Sequence, residues 1–242
     1  MKQRDLQPEI MDDPSLPVHD HLLALKGLAR LNRASGIESS MFRMIRQFLH
    51  DRPDRRLRVL DVASGSGDVP IAWARRARRE GWRIDLTLVD NRQTACEEQQ
   101  RLAALADLSV KSIQQDCLTG ALPNGFDLVT CSLFFHHLTN PQVFQLLQSM
   151  QAATSGGLLL CDLERNRLNL ELVRVASRCL TRSPVVHYDA VTSVRAAFTV
   201  KEFQQIASSA LTQPFRVKRV FPCRFVLSTT EATAKSPVPA IA

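Results

Sequence analysis

The sequence has few glycines and no cysteine pattern of the kind that binds metal. Its 242 residues include nine glycines, below the average share of about 7%. This scarcity excludes collagen-like and low-complexity proteins. None of the six cysteines forms a CxxC pair or a cysteine–histidine spacing typical of zinc sites. The sequence therefore predicts a reduced protein, and no metal ligands are expected.

Long apolar segments are also absent. Residues 1–20 contain no apolar run of the kind that marks a secretory signal. The longest stretch without Asp, Glu, Lys or Arg is 128–161, and it is interrupted by Pro141 and by Gly156-Gly157. This stretch is expected to form strand, helix and strand of a buried core rather than a membrane span. With the reduced cysteines, the pattern favours a cytoplasmic location.

The charge is basic but unevenly distributed. The chain has 31 basic and 24 acidic side chains, a net charge of +7, and 45% hydrophobic residues. That hydrophobic share is sufficient for a folded core. A basic balance makes nucleic acid or an anionic membrane a candidate partner. However, segment 84–164 is net acidic, and the basic residues are concentrated in the segments on either side of it.

An alternation of strand-like and helix-like segments begins near residue 57. Strands separated by helices of about ten to fifteen residues imply βαβ units and a parallel sheet. The last two strands are joined by a very short turn at Pro222-Cys223, so the final strand must be antiparallel to its neighbour. The predicted fold is α/β, a doubly wound, mainly parallel seven-stranded sheet. Its expected strands are 57–62, 84–89, 109–114, 126–133, 157–163, 216–221 and 224–229.

Three further regions surround this predicted sheet. Apolar positions at helical spacing predict helices at 21–33 and 37–50, which make residues 1–50 a helical cap. The main domain is expected to cover 51–230. It includes a less regular insert, 164–197, on the substrate side, with an amphipathic helix near 168–180. Residues 231–242 are expected to form a disordered tail.

A glycine-containing turn follows the first predicted strand in VLDVASGSGD, residues 59–68. Gly65 and Gly67 allow a ligand to approach the backbone closely, because they have no Cβ. The free N–H groups of the following helix could hold a phosphate. The third glycine of GxGxxG is missing, and the carboxylates of Asp61 and Asp68 would repel a pyrophosphate. They suit a ligand that carries ammonium and sulfonium cations.

Two more acidic residues come at the ends of predicted strands. Asp90 ends the second strand, 23 residues after Gly67. An acid at this distance binds ribose hydroxyls in dinucleotide folds. Asp116 ends the third strand, where it could meet the amino group of an adenine. The turn and these acids together predict a site for an adenosine-containing ligand.

With these residues the chain resembles the class I S-adenosylmethionine-dependent methyltransferases, which have a Rossmann-like fold. The resemblance covers 57–163 by motif and 199–229 by topology. It implies S-adenosylmethionine as cofactor, with its amino-acid part at the glycine turn, its ribose at the second strand and its adenine near Asp116. The cofactor-binding residues it implies are Arg33, Asp61, Ala63, Gly65, Gly67, Asp90, Asn91, Asp116, Cys117 and Ser132.

The segment SLFFHHL, residues 132–138, narrows the expected substrate. It follows the fourth strand, where methyl transfer occurs in this fold, and it lacks the N/D-P-P-Y/F motif of nucleic-acid amino-methyltransferases. It resembles small-molecule methyltransferases of the ubiquinone/menaquinone type. The N-terminal region and the insert resemble a subgroup found beside bacterial type III polyketide synthases. This implies O-methylation, in secondary metabolism, of a phenolic, lipid-like polyketide or quinol.

Other functions remain as alternatives. They are C-methylation of a quinone or polyketide ring, methylation of RNA, and a non-catalytic role in which the fold is kept without chemistry. The missing motif argues against nucleic acid as a partner. The basic surface is instead interpreted as a candidate peripheral contact with anionic membranes, where a lipid-like acceptor would be met.

Phenol methylation benefits from a base, because a phenol has a pKa of about 10. His136 and His137 are candidates by position, although adjacent residues at a strand end point in different directions. His187 in the insert is an alternative base, with Arg195 to steady an anionic oxygen. Asp162 and Glu164, at the end of the fifth strand, could bind an acceptor hydroxyl or cap the next segment. Structural roles for all of these side chains are the competing interpretation.

Overall fold

The structure is a computed structural model that describes residues 1, 3–50, 54 and 56–229. The predicted tail, 231–242, lies outside the described residues. None of the helices within the described part of the chain has the length and apolar character needed to span a bilayer.

Two helices precede the sheet, as predicted. Helix α1 is Val18–Ser35 and helix α2 is Ile37–His50. Gly36 separates them in a left-handed conformation, with φ 66°, which glycine adopts without a Cβ clash. The apolar side of α2 is buried against the sheet and α3, the helix that follows the first strand.

The rest of the chain alternates between strands and helices. The elements, in order, are β1 Arg56–Val62, α3 Asp68–Arg79, β2 Arg83–Asp90, α4 Gln93–Leu105, β3 Val110–Gln114, β4 Phe126–Ser132, α5 Asn140–Ala153, β5 Thr154–Leu163, α6 Arg167–Leu180, α7 Pro184–Ala196, α8 Val200–Ala210, β6 Phe215–Val220 and β7 Arg224–Thr229. Short 3-10 turns occur at Ile10–Asp12 and Phe135–His137.

The strands form one seven-stranded sheet in the order β3-β2-β1-β4-β5-β7-β6. Strand β7 is antiparallel to both of its neighbours, and the other pairs are parallel. The fold class predicted from the sequence is therefore confirmed. The order of strands reverses between β1 and β4, and in open α/β sheets ligands bind in the crevice at the carboxyl ends of the strands at such a point.

Two apolar clusters, one on each face, hold the sheet. One contains Phe203 and Phe225 and covers the side of α5 and α8, and the other contains Phe42 and Trp73 and covers the side of α2 and α3. All four of these rings are completely buried.

The insert is more regular than the sequence indicated. It contains α7 in addition to the predicted amphipathic helix, which is α6. The hydroxyl of Ser183 caps α7 by accepting the N–H of Val186, and Pro184 occupies the first turn, both common at helix starts. The helix predicted near 168–180 is confirmed as α6, whereas α7 was not anticipated, because its apolar residues are short or polar-flanked and give a weak periodic signal.

Candidate active site

A cavity of about 510 Å³ lies at the carboxyl ends of the strands where their order reverses. We call it the main cavity. The ends of β1, β2 and β4 and the loops after them form one half of its wall, and helices α1 and α6 form much of the other half. It therefore contains the glycine turn and the segment around His136 in one space.

The two glycines of the turn have different roles. Gly65 and Gly67 have φ of 54° and 72°, a region that favours glycine. A Cβ on Gly65 would have no neighbour within 4 Å, and Gly65 lines the main cavity. A Cβ on Gly67 would lie 3.0 Å from Cδ1 of Leu88. Gly65 thus leaves room for a ligand, whereas Gly67 permits close packing and begins α3.

Asp90 fixes the shape of the turn. Its Oδ2 accepts the N–H of Gly65 at 2.8 Å, and its Oδ1 accepts the N–H of Arg92 at 3.0 Å. Burial raises the pKa of Asp90, although both N–H donors oppose that shift. A carboxylate oxygen can accept more than one hydrogen bond. Asp90 lines the main cavity and therefore keeps acceptor capacity toward it.

Asp61 lies beneath the turn and is 1% exposed. Its Oδ1 accepts the hydroxyl of Thr130 at 2.5 Å, whereas its Oδ2 is buried without a hydrogen-bond partner among the described residues. Burial raises the pKa of Asp61 to about 7, against the effect of the Thr130 hydrogen bond. Asp61 does not itself line the main cavity. A buried carboxylate oxygen without a donor is a place where a cationic group of a ligand would be stabilised.

Asp68 joins the turn to the helical cap. Its Oδ2 accepts the side-chain amide of Asn32 at 3.1 Å, and its Oδ1 accepts the hydroxyl of Ser66 at 2.9 Å. Asn32 lines the main cavity, whereas its neighbour Arg33 is exposed and does not. Arg33 acts at a distance, because its charge opposes the burial that raises the pKa of Asp68. Asn32, and not Arg33, therefore lines the part of the main cavity where the sequence led us to expect Arg33.

Residues just after β3 complete the side of the main cavity formed by the strand ends. Asp116 accepts the N–H of Leu118 at 2.8 Å and lines the main cavity beside Gln115. Most of the predicted cofactor residues thus share one wall, and only Arg33, Asp61 and Gly67 are set back from it. Those in the wall are Ala63, Gly65, Asp90, Asn91, Asp116, Cys117 and Ser132.

His136 is held by a buried carboxylate. Its Nδ1 lies 2.7 Å from Oδ1 of Asp162, and its backbone N–H donates to Oδ2 of the same residue at 3.1 Å. His136 is 3% exposed and lines the main cavity. The carboxylate favours a proton on Nδ1, which leaves Nε2 as an acceptor. Asp162 therefore orients His136, and the structure does not place it in the wall for an acceptor hydroxyl.

His137 is in a different electrostatic setting. Its Nδ1 lies 2.9 Å from Oδ2 of Asp12, and its Nε2 lies 3.9 Å from Oε2 of Glu9. Burial favours the neutral ring, but the carboxylates of Glu9, Asp12 and Asp162 outweigh it and raise the pKa of His137 to about 9. A ring that is protonated at neutral pH is not a general base. Its positive charge can instead stabilise an oxygen anion.

The carboxylates of Glu9 and Asp12 both come from the N-terminal segment, the residues before α1. This contact was not anticipated from the sequence. Glu9 is 7% exposed, accepts the hydroxyl of Ser193 at 2.5 Å, and lies 3.7 Å from Nε2 of His136. The N–H groups of Ile10 and Met11 donate to Asp189 of α7 at 2.8 and 3.1 Å. These bonds hold the segment across the two histidines. The only signal in the sequence was its net acidic character.

Glu9, His136 and His137 are the group, among the described residues, that could hold a metal ion. Their ligand atoms lie within 4.8 Å of one another. Zinc ligands lie 2.0–2.2 Å from the ion, hence roughly 3.4 Å from each other in a tetrahedron. The gaps from Glu9 to the two rings are 3.7 and 3.9 Å. The protonated ring of His137 pairs with Glu9 and Asp12, so the cluster is explained as a set of ion pairs.

His187 and Arg195 do not belong to the main cavity. They line a second cavity of about 490 Å³ with Tyr188 of the same helix. The Nε2 of His187 donates to the carbonyl oxygen of Thr181 at 2.9 Å. Helix α7 presents Ala190 and Ser193 to the main cavity, and residues 187, 188, 191 and 195 lie on its other side by helical spacing. The expected base and oxygen-binding roles of His187 and Arg195 are not retained for this reason.

The half of the main cavity opposite the strand ends is apolar. Helices α1 and α6 provide most of it, with no charged side chain from either helix in the wall. The residues are Leu25, Leu28, Leu31, Leu172, Val173, Ala176 and Leu180. Polar groups therefore meet a ligand at one end of the cavity, and aliphatic side chains meet it at the other. Such a wall can hold an elongated apolar group.

Residues 59–157, from β1 into β5, match a family model described as a methyltransferase domain. No curated protein matches the chain. Among solved structures, the chain is similar to a candidate O-methyltransferase from Nostoc punctiforme PCC 73102, with 17% identity and a TM-score of 0.58, covering 84% of this chain and 59% of that one.

It is also similar to magnesium protoporphyrin IX methyltransferase from Synechocystis PCC 6803 with bound SAH, at 15% identity and a TM-score of 0.55, over 81% of this chain and 83% of that one. A third similar structure is an O-methyltransferase family 2 protein from Planctomyces limnophilus in complex with apigenin, at 17% identity and a TM-score of 0.51, over 72% and 50%. The chain spans less than two thirds of the length of the Nostoc and Planctomyces proteins.

These identities establish a shared fold. The family model identifies residues 59–157 as a methyltransferase domain, and similar structures contain bound SAH or SAM.

Proposed function

We propose that the protein methylates a phenolic hydroxyl of a small aromatic acceptor that carries an apolar chain, such as a polyketide or a quinol. The main evidence is one arrangement of residues. His136, which Asp162 orients, lines the main cavity together with the glycine turn and the apolar wall of α1 and α6. A donor, a base and a place for an aliphatic group are thereby available in one space. O-methyltransferases are among the proteins that share the fold.

The residues of the strand ends fit the cofactor. Asp90 offers acceptor capacity for ribose hydroxyls, and Gly65 leaves open space beside the backbone. The unpartnered Oδ2 of Asp61 beneath the turn suits a cationic amino-acid group. Asp116 and Cys117 line the same cavity and are proposed to contact the adenine. When bound, S-adenosylmethionine supplies a methyl group activated by its sulfonium.

His136 is proposed as the general base. A phenol with a pKa of about 10 is mostly protonated at neutral pH, so removal of its proton raises its nucleophilicity. Nε2 of His136 accepts that proton, while Asp162 stabilises the charged ring that results. The neighbouring cation of His137 favours the acceptor oxygen as an anion.

The apolar wall argues for a small lipid-like acceptor rather than a nucleic acid. A polynucleotide would require cationic protein groups opposite its phosphates, whereas most of the side chains that α1 and α6 present to the main cavity are leucine, valine and alanine. A cytoplasmic location stays a prediction from the cysteine pattern.

Incubation with S-adenosylmethionine and a panel of phenols tests the proposal. The panel contains alkylresorcinols of increasing chain length and a quinol, and mass spectrometry with fragmentation distinguishes O-methyl from C-methyl products. We expect O-methyl products, with preference for the longer chains. Calorimetry separately measures whether the cofactor binds. If the cofactor binds but only a ring carbon or only RNA is methylated, the acceptor that we propose is contradicted.

A further inference from the structure

One face of helix α6 is both apolar and exposed. Leu168 and Val175 are each 64% exposed, Leu172 is 43% exposed, and Cys179 is also exposed. Their spacing of four, three and four residues places them along a single line on the helix surface. We call these residues the apolar stripe. Large apolar side chains exposed in a row are uncommon on a soluble surface and mark an interaction site.

The apolar stripe lies at the mouth of the main cavity. Leu172 belongs to the stripe and also lines the cavity. Phe221, in the turn between β6 and β7, is 89% exposed and lines the same cavity. An apolar environment that covers the stripe would therefore be continuous with the apolar half of the main cavity. An aliphatic group could pass from one to the other without crossing water.

A basic surface borders the stripe on the other side of α6. Arg174 and Arg178 follow Leu172 and Val175 along the helix but point to the second cavity, where Arg195 and His187 of α7 join them. Asp5 is the only acidic residue in that lining. Guanidinium groups bind phosphate oxygens with two parallel hydrogen bonds. The second cavity thus suits a phosphate group.

We propose that the apolar stripe, Phe221 and the second cavity dock the enzyme on bilayers that contain anionic phospholipid. The stripe and Phe221 enter the boundary between headgroups and acyl chains, and Arg178 and Arg195 bind lipid phosphates. An apolar helix face flanked by arginines is the pattern of interfacial helices, and charge complementarity favours an anionic leaflet over a neutral one. The delivery of a lipid-like acceptor rests on the proposed function, but the docking itself does not.

Co-sedimentation of the full chain with vesicles tests the docking. The vesicles are phosphatidylcholine alone, or phosphatidylcholine with phosphatidylglycerol, at low and high salt. We expect binding to the anionic vesicles, weakened by salt. The double variant L168N/V175N should bind roughly tenfold more weakly or worse, whereas L105N, which changes an equally exposed leucine of α4 (73% exposed), should bind as the wild type does.

The electrostatic part has its own pair of variants. R178Q/R195Q should weaken binding on the order of fivefold per arginine, whereas R75Q/R79Q removes the same charge from exposed positions of α3 and should have little effect. Equal weakening by both pairs would overturn the role of the second cavity.

Two more measurements keep the outcome clear. Thermal melting, and cofactor binding by calorimetry, should be unchanged in L168N/V175N, since neither residue lines the main cavity. Absence of binding to anionic vesicles would overturn the proposal, as would a dimer in sedimentation velocity that the same double variant dissolves. Vesicle binding without any phenol methylation would leave the docking intact and contradict only the proposed function.

Discussion

Nδ1 of His136 lies 2.7 Å from Oδ1 of Asp162, and both residues are almost completely buried beside the main cavity. The adjacent His137 instead faces Asp12 and Glu9, which raise its pKa to about 9 against the effect of burial. Two histidines next to each other in the sequence are thus prepared for opposite tasks. The ring of His136 is oriented by one carboxylate and is the proposed base, whereas the ring of His137 is held as a cation.

Replacement of the proposed base should abolish most turnover. We expect His136→Gln to lower kcat with a soluble phenol by about 10²–10⁴-fold, the usual contribution of a general base. Cofactor binding measured by calorimetry should persist, because the ring is not among the strand-end groups that fit the cofactor. His187→Gln is the matched control, since that ring lies in the second cavity. Near wild-type turnover by His136→Gln would remove this residue from the mechanism.

The protonated ring of His137 should make stability depend on pH. An unfolded histidine has a pKa of about 6.5, and in the folded protein burial is outweighed by Glu9 and Asp12, so that the pKa is about 9. The folded state binds one more proton between these values. The stabilisation is therefore complete below about pH 6.5 and is lost as pH rises through about 9.

Melting temperatures between pH 6 and 9.5 would measure this loss. In His137→Gln the melting temperature should fall less as pH rises, and in His187→Gln it should fall as in the wild type. An identical decline in wild type and His137→Gln would show that the ring is not held as a cation.

Three glycine-to-alanine variants separate binding from folding. Gly36, Gly65 and Gly67 all have positive φ, so alanine costs about 1–2 kcal/mol at each from backbone strain alone. Gly65→Ala should in addition lower cofactor affinity, because its Cβ would enter the main cavity. Gly67→Ala should destabilise most, because its Cβ would lie 3.0 Å from Cδ1 of Leu88. Gly36→Ala is the control, because position 36 has the same backbone strain and open space around its Cβ but does not line the main cavity. This variant should bind cofactor with wild-type affinity.

Calorimetric titration with S-adenosylmethionine and urea unfolding give the two readings. Equal cofactor affinities of Gly36→Ala and Gly65→Ala would contradict the close approach of a ligand at Gly65.

The sequence predicted the sheet, and it singled out most of the residues that line the strand side of the main cavity, because both depend on short-range patterns. A glycine turn after a strand and an acid at the next strand end are local features, and Asp90 indeed bonds the turn at Gly65. The contact of Asp12 with His137 joins residues 125 positions apart. No periodicity or motif reports such a contact, which arises only when the N-terminal segment packs on α7.

The same reason explains why the sequence did not reveal that His187 lies outside the main cavity. Helix α7 is hydrophobic in part on both sides, so the sequence did not indicate which side faces the acceptor. The structure turns His187 outward to the carbonyl of Thr181 and brings Glu9 to His136 instead.

Methyl transfer should not require a divalent metal. We expect full activity after dialysis against EDTA, since the cationic ring of His137 already pairs with Glu9 and Asp12 and would repel a metal cation. Added Zn²⁺ should inhibit, because binding at Nε2 of His136 would occupy the proposed base. Activity assays with EDTA, Zn²⁺ and Mg²⁺ measure both effects, and atomic emission on the purified protein reports bound metal. Loss of activity in EDTA that Mn²⁺ or Zn²⁺ restores would overturn the assignment of His136 as a free base.

Blocking the apolar half of the main cavity should change chain-length preference without stopping the chemistry. Ala176 of α6 lines this half beside Leu180. It lies on a different element from His136, the proposed base. Phenylalanine at this position would fill space that a long aliphatic chain requires, whereas a short-chain phenol would still reach the base. We expect Ala176→Phe to lower kcat/KM for a long-chain alkylresorcinol relative to a short-chain phenol by roughly tenfold or more. Ala104→Phe adds the same ring at an exposed position of α4 and should leave the ratio unchanged. If both acceptors lose activity equally in Ala176→Phe, the apolar wall serves folding rather than recognition of the chain.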